Sequence, residues 1–491
     1  MASSFGSINT ALTSLYAQRR GLDVTGQNIA NANTEGYTRQ RVEMQAMVGS
    51  TVPVSWATTD GLGTGVAVTD VQRLRDEFLE NRGRTEHGAS TYLTNQAAAY
   101  ASVEDVFSEP SSTALQAQMH DMWAGWGDVG DEPSSTAARA SLLQQTRVVA
   151  DNLNSAYGSL SAQWTANSVQ VGKLADEVNT TSSTVAQLND SIVKAKATGV
   201  VVNELEDQRD VAVMRLSELT GATAARRDDG SMDVYVGNAL LVTKTITRPM
   251  ASTGVTNLDA QRAFIADPLN GTASAGLTWA DNGAEIQAGG TMGSMVATMT
   301  TLLPDMAQRL DDVAEALVTT VNAATSAALK SDGTAGTDLF TGDFTQGRYA
   351  KNIAVAITNP SDIAVSAVNE TNADGTPKLD GLGNPIGTND GSVATLLAGT
   401  GTRVGSPDLT YQDMIADLGV KAQTSTRRSE IQANVAGQVD SARQAESGVN
   451  LDEEMTNLLT YQRGYEAASR VLTTIDSMLD QLINRTGLVG R

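Results

Sequence analysis

Only two imidazoles, His87 and His120, occur in the 491 residues, and there is no cysteine. Disulfides, thiolate-held metals, iron–sulfur clusters and a cysteine nucleophile are therefore excluded. A Ser/His/Asp triad would have to use one of the two histidines, and neither has a nucleophile motif beside it. Gly61-Leu62-Gly63-Thr64-Gly65 has the glycine density of a phosphate loop. It lacks the Lys-Ser/Thr that would reach phosphate and the full Gly-x-Gly-x-x-Gly spacing, so it reads as a turn. Asp374-Gly375, Asp380-Gly381 and Asp390-Gly391 evoke calcium loops without the ligand order or terminal glutamate, and read as turns as well. Asp452-Glu453-Glu454 could act as paired acids. However, they follow Asn450, a good N-cap, Glu453 holds the capping-box position, and all three lie where the helix dipole favours negative charge. The expectation is a protein with no catalytic, cofactor-binding or metal-ligating residues.

The elements around these residues show stronger order than the residues themselves. Phe5, Ile8, Leu12, Leu15, Leu22 and Ile29 keep a three-four spacing, with Arg19 and Gly26 in the intervening slots. This predicts a helix with one apolar stripe seeking a partner. Leu458, Tyr461, Tyr465, Ala468, Leu472, Ile475, Leu479 and Leu482 repeat the pattern without a break, predicting a helix of roughly 50 Å over 451–484. A third run, Val171 to Ala195, predicts a rod-like helix, with Leu142, Val149 and Leu153 marking a helix before it. Asn203-Glu204-Leu205-Glu206 reads as a cap with its glutamate three residues on, opening a helix that stops near Gly221.

Alternation at Met232, Val234 and Val236, a turn at Gly237-Asn238 and resumption at Leu240 and Val242 predict a β-hairpin. Helical spacing returns over 291–329 through Met306, Leu310, Val313, Leu317 and Val321; 331–410 reads as loops and short strands; and helix resumes from Tyr411, broken near Gly448. The fold class is α+β and multidomain.

The formal charge is −22. Residues 1–50 hold four arginines against three acids and residues 441–491 five against seven, so nearly all the excess lies between them. Nucleic acid and anionic lipid are unfavourable partners for such a chain. No apolar run marks a signal peptide or membrane span, so export, if it occurs, would use no standard cleaved signal.

Gln27-Asn28-Ile29-Ala30-Asn31-Ala32-Asn33-Thr34-Glu35-Gly36-Tyr37 resembles the signature of bacterial flagellar axial proteins, which form rod, hook and hook-associated layers. Thr38-Arg39-Gln40 favours the hook-associated protein 1 branch of that family. Ser447-Gly448-Val449-Asn450-Leu451-Asp452-Glu453-Glu454-Met455 and Tyr461-Gln462-Arg463-Gly464-Tyr465 are similar to its C-terminal segment. Gly63 to Val66 with Arg73 and Asp76, and the 203–210 stretch, are similar to internal segments of that family; Gly336 to Phe340 is a weaker match, and 250–290 and 345–405 match poorly.

The resemblance implies a terminal domain, 1–45 with 445–491, paired as a coiled coil in the inner tube. It further implies a helical rod of 46–220 with 291–330 and 411–444, and β-rich outer insertions from 221–290 and 331–410. The stripes then gain partners: Leu12, Leu15, Leu22 and Ile29 against Leu472, Ile475, Leu479 and Leu482. It also implies a non-enzymatic, extracellular structural protein, exported by the flagellar apparatus and required for filament assembly. It would form a ring or tubular layer between hook protein and a second hook-associated protein, with a cytoplasmic export chaperone on its C-terminal helix. Two other readings stay open: a hook or rod protein, and a secreted enzyme carried in the variable middle.

Overall fold

In a computed structural model, the described residues are 4–47, 63–269, 271–376, 378–379, 381, 383 and 390–481. In chain order they form α1 (Ser4–Ala30), β1 (Gln40–Met47), β2 (Gly65–Arg73), α2 (Glu77–Phe107), α3 (Leu115–Asp131), α4 (Thr136–Ala197) and α5 (Asn203–Thr220). Next come β3 (Thr223–Arg226), β4 (Met232–Val236), β5 (Ala239–Thr243), β6 (Ile246–Thr247), β7 (Met250–Thr253), α6 (Leu258–Ala266), β8 (Gly276–Trp279) and α7 (Gly290–Ala297). The chain ends through α8 (Leu303–Ala327), β9 (Phe340–Thr341), α9 (Tyr349–Asn352), β10 (Ala354–Val355), α10 (Ser392–Ala398), α11 (Pro407–Ser447) and α12 (Leu451–Asp480). Two units result: 1–89 with 178–249 and 433–491, and 90–177 with 250–432. The 221–290 stretch is thus divided between the units at Pro249.

In the first unit the chain's two ends lie together, with α1 packed along α12. The other side of α1 meets an antiparallel hairpin, β1 with β2, paired from Gln40 opposite Arg73 to Met47 opposite Gly65. Val24 of α1 shares a small core with Val42 and Val71, and Met44 and Val68 pack against it. This hairpin was not anticipated. Its alternation at Val42/Met44 and Val66/Val68 is short, and a bulge between Glu43 and Met44 shifts the register.

The expected hairpin at 232–242 is present, inside a four-stranded antiparallel meander β3-β4-β5-β6, with Gly237 turning at φ 57°. Asn189 of α4 ties this sheet down by donating to the carbonyls of Met232 and Lys244, both at 2.8 Å, and accepting from the Met232 amide at 3.0 Å. α5 stops at Gly221, which takes φ 68° and returns its amide to the Ser217 carbonyl, the left-handed termination that glycine makes without steric cost.

The helix start of α5 corrects the sequence reading. Val202 holds the cap position, and the Asn203 amide donates to Gln40 Oε1 at 3.0 Å and to the Val71 carbonyl at 2.9 Å. Asn203 therefore joins elements where a cap was expected. A second correction concerns α4. The helix expected before Val171 is continuous with the rod, making one 62-residue helix in which Leu142, Val149, Leu153, Val171, Val178, Val185 and Ile192 are buried.

In the second unit the predicted stripe of α8, Met306, Leu310, Val313, Leu317 and Val321, is buried along its length. A π-turn at Thr298–Leu302 links α7 to α8 just before Pro304, whose ring cannot pack in a normal helical turn against a carbonyl four residues back. Trp164 is fully buried and donates its indole N–H to the Met299 carbonyl at 2.9 Å, while Trp123 donates to Asp408 at 2.6 Å. α3 packs on the short α10, a helix inside the 331–410 stretch whose composition predicts loops and short strands. Two of the Asp-Gly pairs are turns: Asp374 accepts from Thr376, and Asp390 accepts from Ser392 at the start of α10. Asp380 lies outside the described residues, as do Gly61 and Leu62.

Candidate assembly interface

The N-terminal motif folds as a loop between α1 and β1, and its side chains meet the start of α12. Asn28 is the centre of this clasp and is 1 % exposed. Its amide donates to the Gln40 carbonyl at 2.9 Å and to Glu454 Oε2 at 3.0 Å. Its oxygen accepts from the Gln40 amide at 3.0 Å and from the Tyr37 hydroxyl at 2.9 Å. All four hydrogen-bonding positions of a carboxamide are used, which neither aspartate nor leucine could match. Burial, together with Asp207, Glu204 and Glu454 nearby, pushes the Tyr37 phenol upward, so it remains a protonated donor.

Arg39 completes the clasp. Its Nη1 reaches Glu453 at 2.7 Å and its Nε reaches Glu454 at 2.8 Å. The Arg39 amide donates to the Ser447 carbonyl at 2.9 Å, so side chain and main chain both hold the α11–α12 junction. Asn450 caps α12, accepting from the amides of Asp452 at 3.0 Å and Glu453 at 3.4 Å. Glu453 turns its carboxylate to Arg39, so the residue read as the reciprocal half of a capping box instead joins the two ends of the chain.

Gly36 is fixed by two demands. It takes φ 78°, and a Cβ there would fall 2.2 Å from Val211 Cγ2 on α5. Thr34 donates to Asn31 Oδ1 at 3.2 Å, and Asn31 donates back to the Gln27 carbonyl at 3.0 Å, closing the loop on the end of α1. Asn33, Leu451, Asp452 and Gln462 are exposed.

The helix seam is antiparallel. A Cβ on Gly21 would sit 2.7 Å from the Tyr461 ring, and one on Gly464 would sit 2.7 Å from the Gln18 amide. Moving along α1 from 28 to 21 to 18, contacts move along α12 from 454 to 461 to 464, in equal steps. This register corrects the expected partners. Leu22 lies level with Tyr461, roughly 16 Å of helix away from Leu472, which faces the beginning of α1.

The buried positions of α1 are Ala11, Ala17, Gly21, Val24, Thr25 and Asn28, whereas Ile8, Leu15, Leu22 and Ile29 are half-buried and Leu12 is exposed. Across the seam Leu458, Tyr461, Leu472, Ile475 and Leu479 are half-buried, Ala468 is buried and Tyr465 is 41 % exposed. Leu482 and the side chain of Phe5 lie outside the described residues. Sequence reasoning followed the large side chains and missed Gly21 and Gly464, whose small size in the stripe was the available signal.

Behind the clasp is a buried ionic network. Arg73 pairs with Glu206 at 2.7 Å, Asp207 at 2.8 Å and Asp210 at 2.9 Å, and Asp207 also accepts from the Thr38 amide at 3.1 Å. Arg75 bridges Asp210 and Glu80, and Arg443 of α11 pairs with Glu80 at 2.9 Å. Burial alone would raise Glu80, Glu206 and Asp210, but the surrounding cations outweigh it and hold all three below the usual carboxylate range. For Asp207 burial wins over Arg73, and its carboxyl is raised. His87 lies 2.8 Å from Asp440 and 3.7 Å from Glu218, within the same unit.

A motif loop and a C-terminal helix start locked together at the root of a paired-helix spine join the two terminal segments into one unit. Comparison agrees at three places. Residues 8–38 match a flagella basal body rod protein family, 441–485 the flagellar basal body rod FlgEFG protein C-terminal family, and 100–340 the helical domain of flagellar hook-associated protein FlgK. Flagellar hook-associated protein 1 of Bacillus subtilis is 27 % identical over 516 residues, covering 100 % of both chains. Its Escherichia coli counterpart is 25 % identical, covering 97 % of this chain and 99 % of its own. The solved flagellar hook junction protein FlgK from Burkholderia pseudomallei shares the fold with a TM-score of 0.60 and 16 % identity, covering 75 % of this chain and all of that one. Along its whole length the chain is similar to the flagellar hook-associated protein 1 family.

Proposed function

We propose that this protein is a non-enzymatic layer of the bacterial flagellum at the junction between hook and filament, and that filament growth depends on it. The observation that carries this reading is the clasp: residues of both terminal motifs converge on Asn28, Arg39 and Glu454, fixing the α1–α12 spine to the rest of its unit. The spine still has apolar surface to cover. Leu12 and Tyr16 on α1 and Met455, Leu459, Val471 and Met478 on α12 are exposed in the single chain. In the assembled layer they pack on the spines of identical neighbours, and on hook protein and a second hook-associated protein above and below.

Before assembly, the same C-terminal stripe is the segment an export chaperone would cover, and the protein leaves the cell through the flagellar export apparatus. The terminal family matches are shared with rod proteins, while the match over 100–340 favours the hook-associated branch. Electron microscopy of an in-frame deletion strain tests the reading. Completed hooks without filaments, with filament protein released to the medium, are expected. Filaments of normal length on the mutant would refute it, and missing hooks would point to a rod or hook component.

A further inference from the structure

Arg209 of α5 is 0 % exposed and fully charged by chemistry, yet no ion pair is made to it among the described residues. Its Nη1 donates to Asn189 Oδ1 at 3.2 Å and to the Gly230 carbonyl at 2.7 Å. Its Nε and Nη2 are buried without a hydrogen-bond partner. Arg84, 4 % exposed, leaves its Nε in the same condition. Buried guanidinium donors without acceptors are costly, and such a group calls for an anion.

Both arginines line a cleft of 510 Å³ within the first unit, along with Arg73, Arg75, Lys196 and Arg226. The buried carboxylates of that cleft already have cationic partners, although Asp210 Oδ1, 3.5 Å from Arg84 Nη2, accepts no hydrogen bond. Asp210 is engaged by Arg73, Arg75 and Arg84; Glu206 by Arg73, Lys196 and Arg226; and Glu80 by Arg75 and Arg443. Asp70 accepts from the Val71 amide, and Glu77 is exposed. Asp210 and Glu206 attract Arg209 through space, but burial still pulls it and Arg84 below the usual arginine range.

We propose that this cleft is a binding site for a small inorganic oxyanion of the phosphate or sulfate class, held by Arg209 and Arg84. A guanidinium presents paired N–H groups at the spacing of two oxyanion oxygens, and the unused donors are of that kind. The bound ion neutralises the charge that the protein's own carboxylates leave uncovered. It thereby cements α5, α2 and the β3–β6 sheet behind the clasp, a role independent of the layer's position in the flagellum.

The test is isothermal titration of the full-length monomer with inorganic phosphate at constant ionic strength in chloride. A saturable one-to-one isotherm is expected, competed by sulfate. Arg209→Gln should abolish it and Arg84→Gln should weaken it at least tenfold, while Arg41→Gln, at an exposed ion pair with Glu43 outside the cleft, should leave it unchanged. Circular dichroism reports whether each variant folds, and Arg84→Gln decides the matter if Arg209→Gln does not. A non-saturating response, meaning water only in the cleft, overturns the proposal. So does equal affinity in wild type and Arg84→Gln.

Discussion

Asn28 and Glu454, 426 residues apart in the chain, share a 3.0 Å hydrogen bond in which the amide donates to one carboxylate oxygen while Arg39 occupies the other. The contact ties the end of α1 to the beginning of α12 at a site only 1 % and 2 % exposed at the two residues. Asn28→Ala leaves the Gln40 main chain, the Tyr37 hydroxyl and Glu454 each short of a partner, and should cost about 3 kcal/mol. Asn28→Asp should be no better, since it loses both donors and sets a second negative charge beside Glu454. Urea denaturation of the purified monomer measures both, and a loss below about 0.5 kcal/mol would mean that the clasp does not hold the termini.

Gly36→Ala should destabilise through two separable causes, a left-handed backbone and a clash with Val211. The first is worth about 1 kcal/mol and the second adds to it. Adding Val211→Ala removes the clash alone, so the double variant should recover part of the loss. Full recovery would show that the backbone conformation is not strained; no recovery would show that α5 can shift away.

The ionic network gives the first unit a pH dependence with a definite sign. Glu80, Glu206 and Asp210 are held below their ordinary values of 4.5, 4.5 and 3.8, so their contribution is complete above those values and is lost as pH falls further. Asp207 acts the other way: its raised carboxyl is costly when ionised, and that cost is relieved by protonation. Three groups against one leave a net loss of stability below about pH 4.5. In the second unit the buried carboxyls divide, Asp311 and Asp408 raised by burial and Asp259 lowered despite it, while the other lowered aspartates, Asp332, Asp343, Asp374 and Asp417, lie at the surface where solvent screens them, so acid weakens this unit less. Hydrogen exchange from pH 6 down to pH 3, corrected for intrinsic rates, should show α5 and β2 losing protection before α8. The reverse order would contradict this assignment.

The exposed apolar flank of α12 should matter only in the assembly. Met455→Glu with Leu459→Glu is expected to change monomer stability by less than about 0.5 kcal/mol, because both side chains are solvated. In cells the same variant should be secreted but fail to restore filaments to a deletion strain. Restored filaments would remove these residues from the neighbour contact.

Legibility in the sequence followed periodicity. The stripes of α8, α4 and α12, the cap at Asn450, the stop at Gly221 and the 232–242 hairpin are local signals, set within a few residues by spacing, capping and turn chemistry. What sequence did not reveal was long-range. Asn203 has the type and position of a cap, and only the fold shows it drawn to Gln40 and Val71. The seam's register depends on where Gly21 lets Tyr461 approach, a steric fact that the leucine spacing on either helix leaves undetermined. The β1–β2 hairpin escaped because a bulge breaks its alternation after four residues. The clasp residues were legible as a motif through family likeness, but their partners were not, since Asn28 gives no local hint of a carboxylate 426 residues away.

The central claim is that the two ends of the chain form one antiparallel spine in the working structure. The chain has no cysteine, so introduced pairs report cleanly. Oxidation of flagella isolated from cells carrying Gln18→Cys with Gly464→Cys should give an intramolecular disulfide in nearly every copy of this protein. Leu22→Cys with Leu479→Cys, far apart in this register, should give none within a chain. Cross-linking of the second pair and not the first would contradict the account.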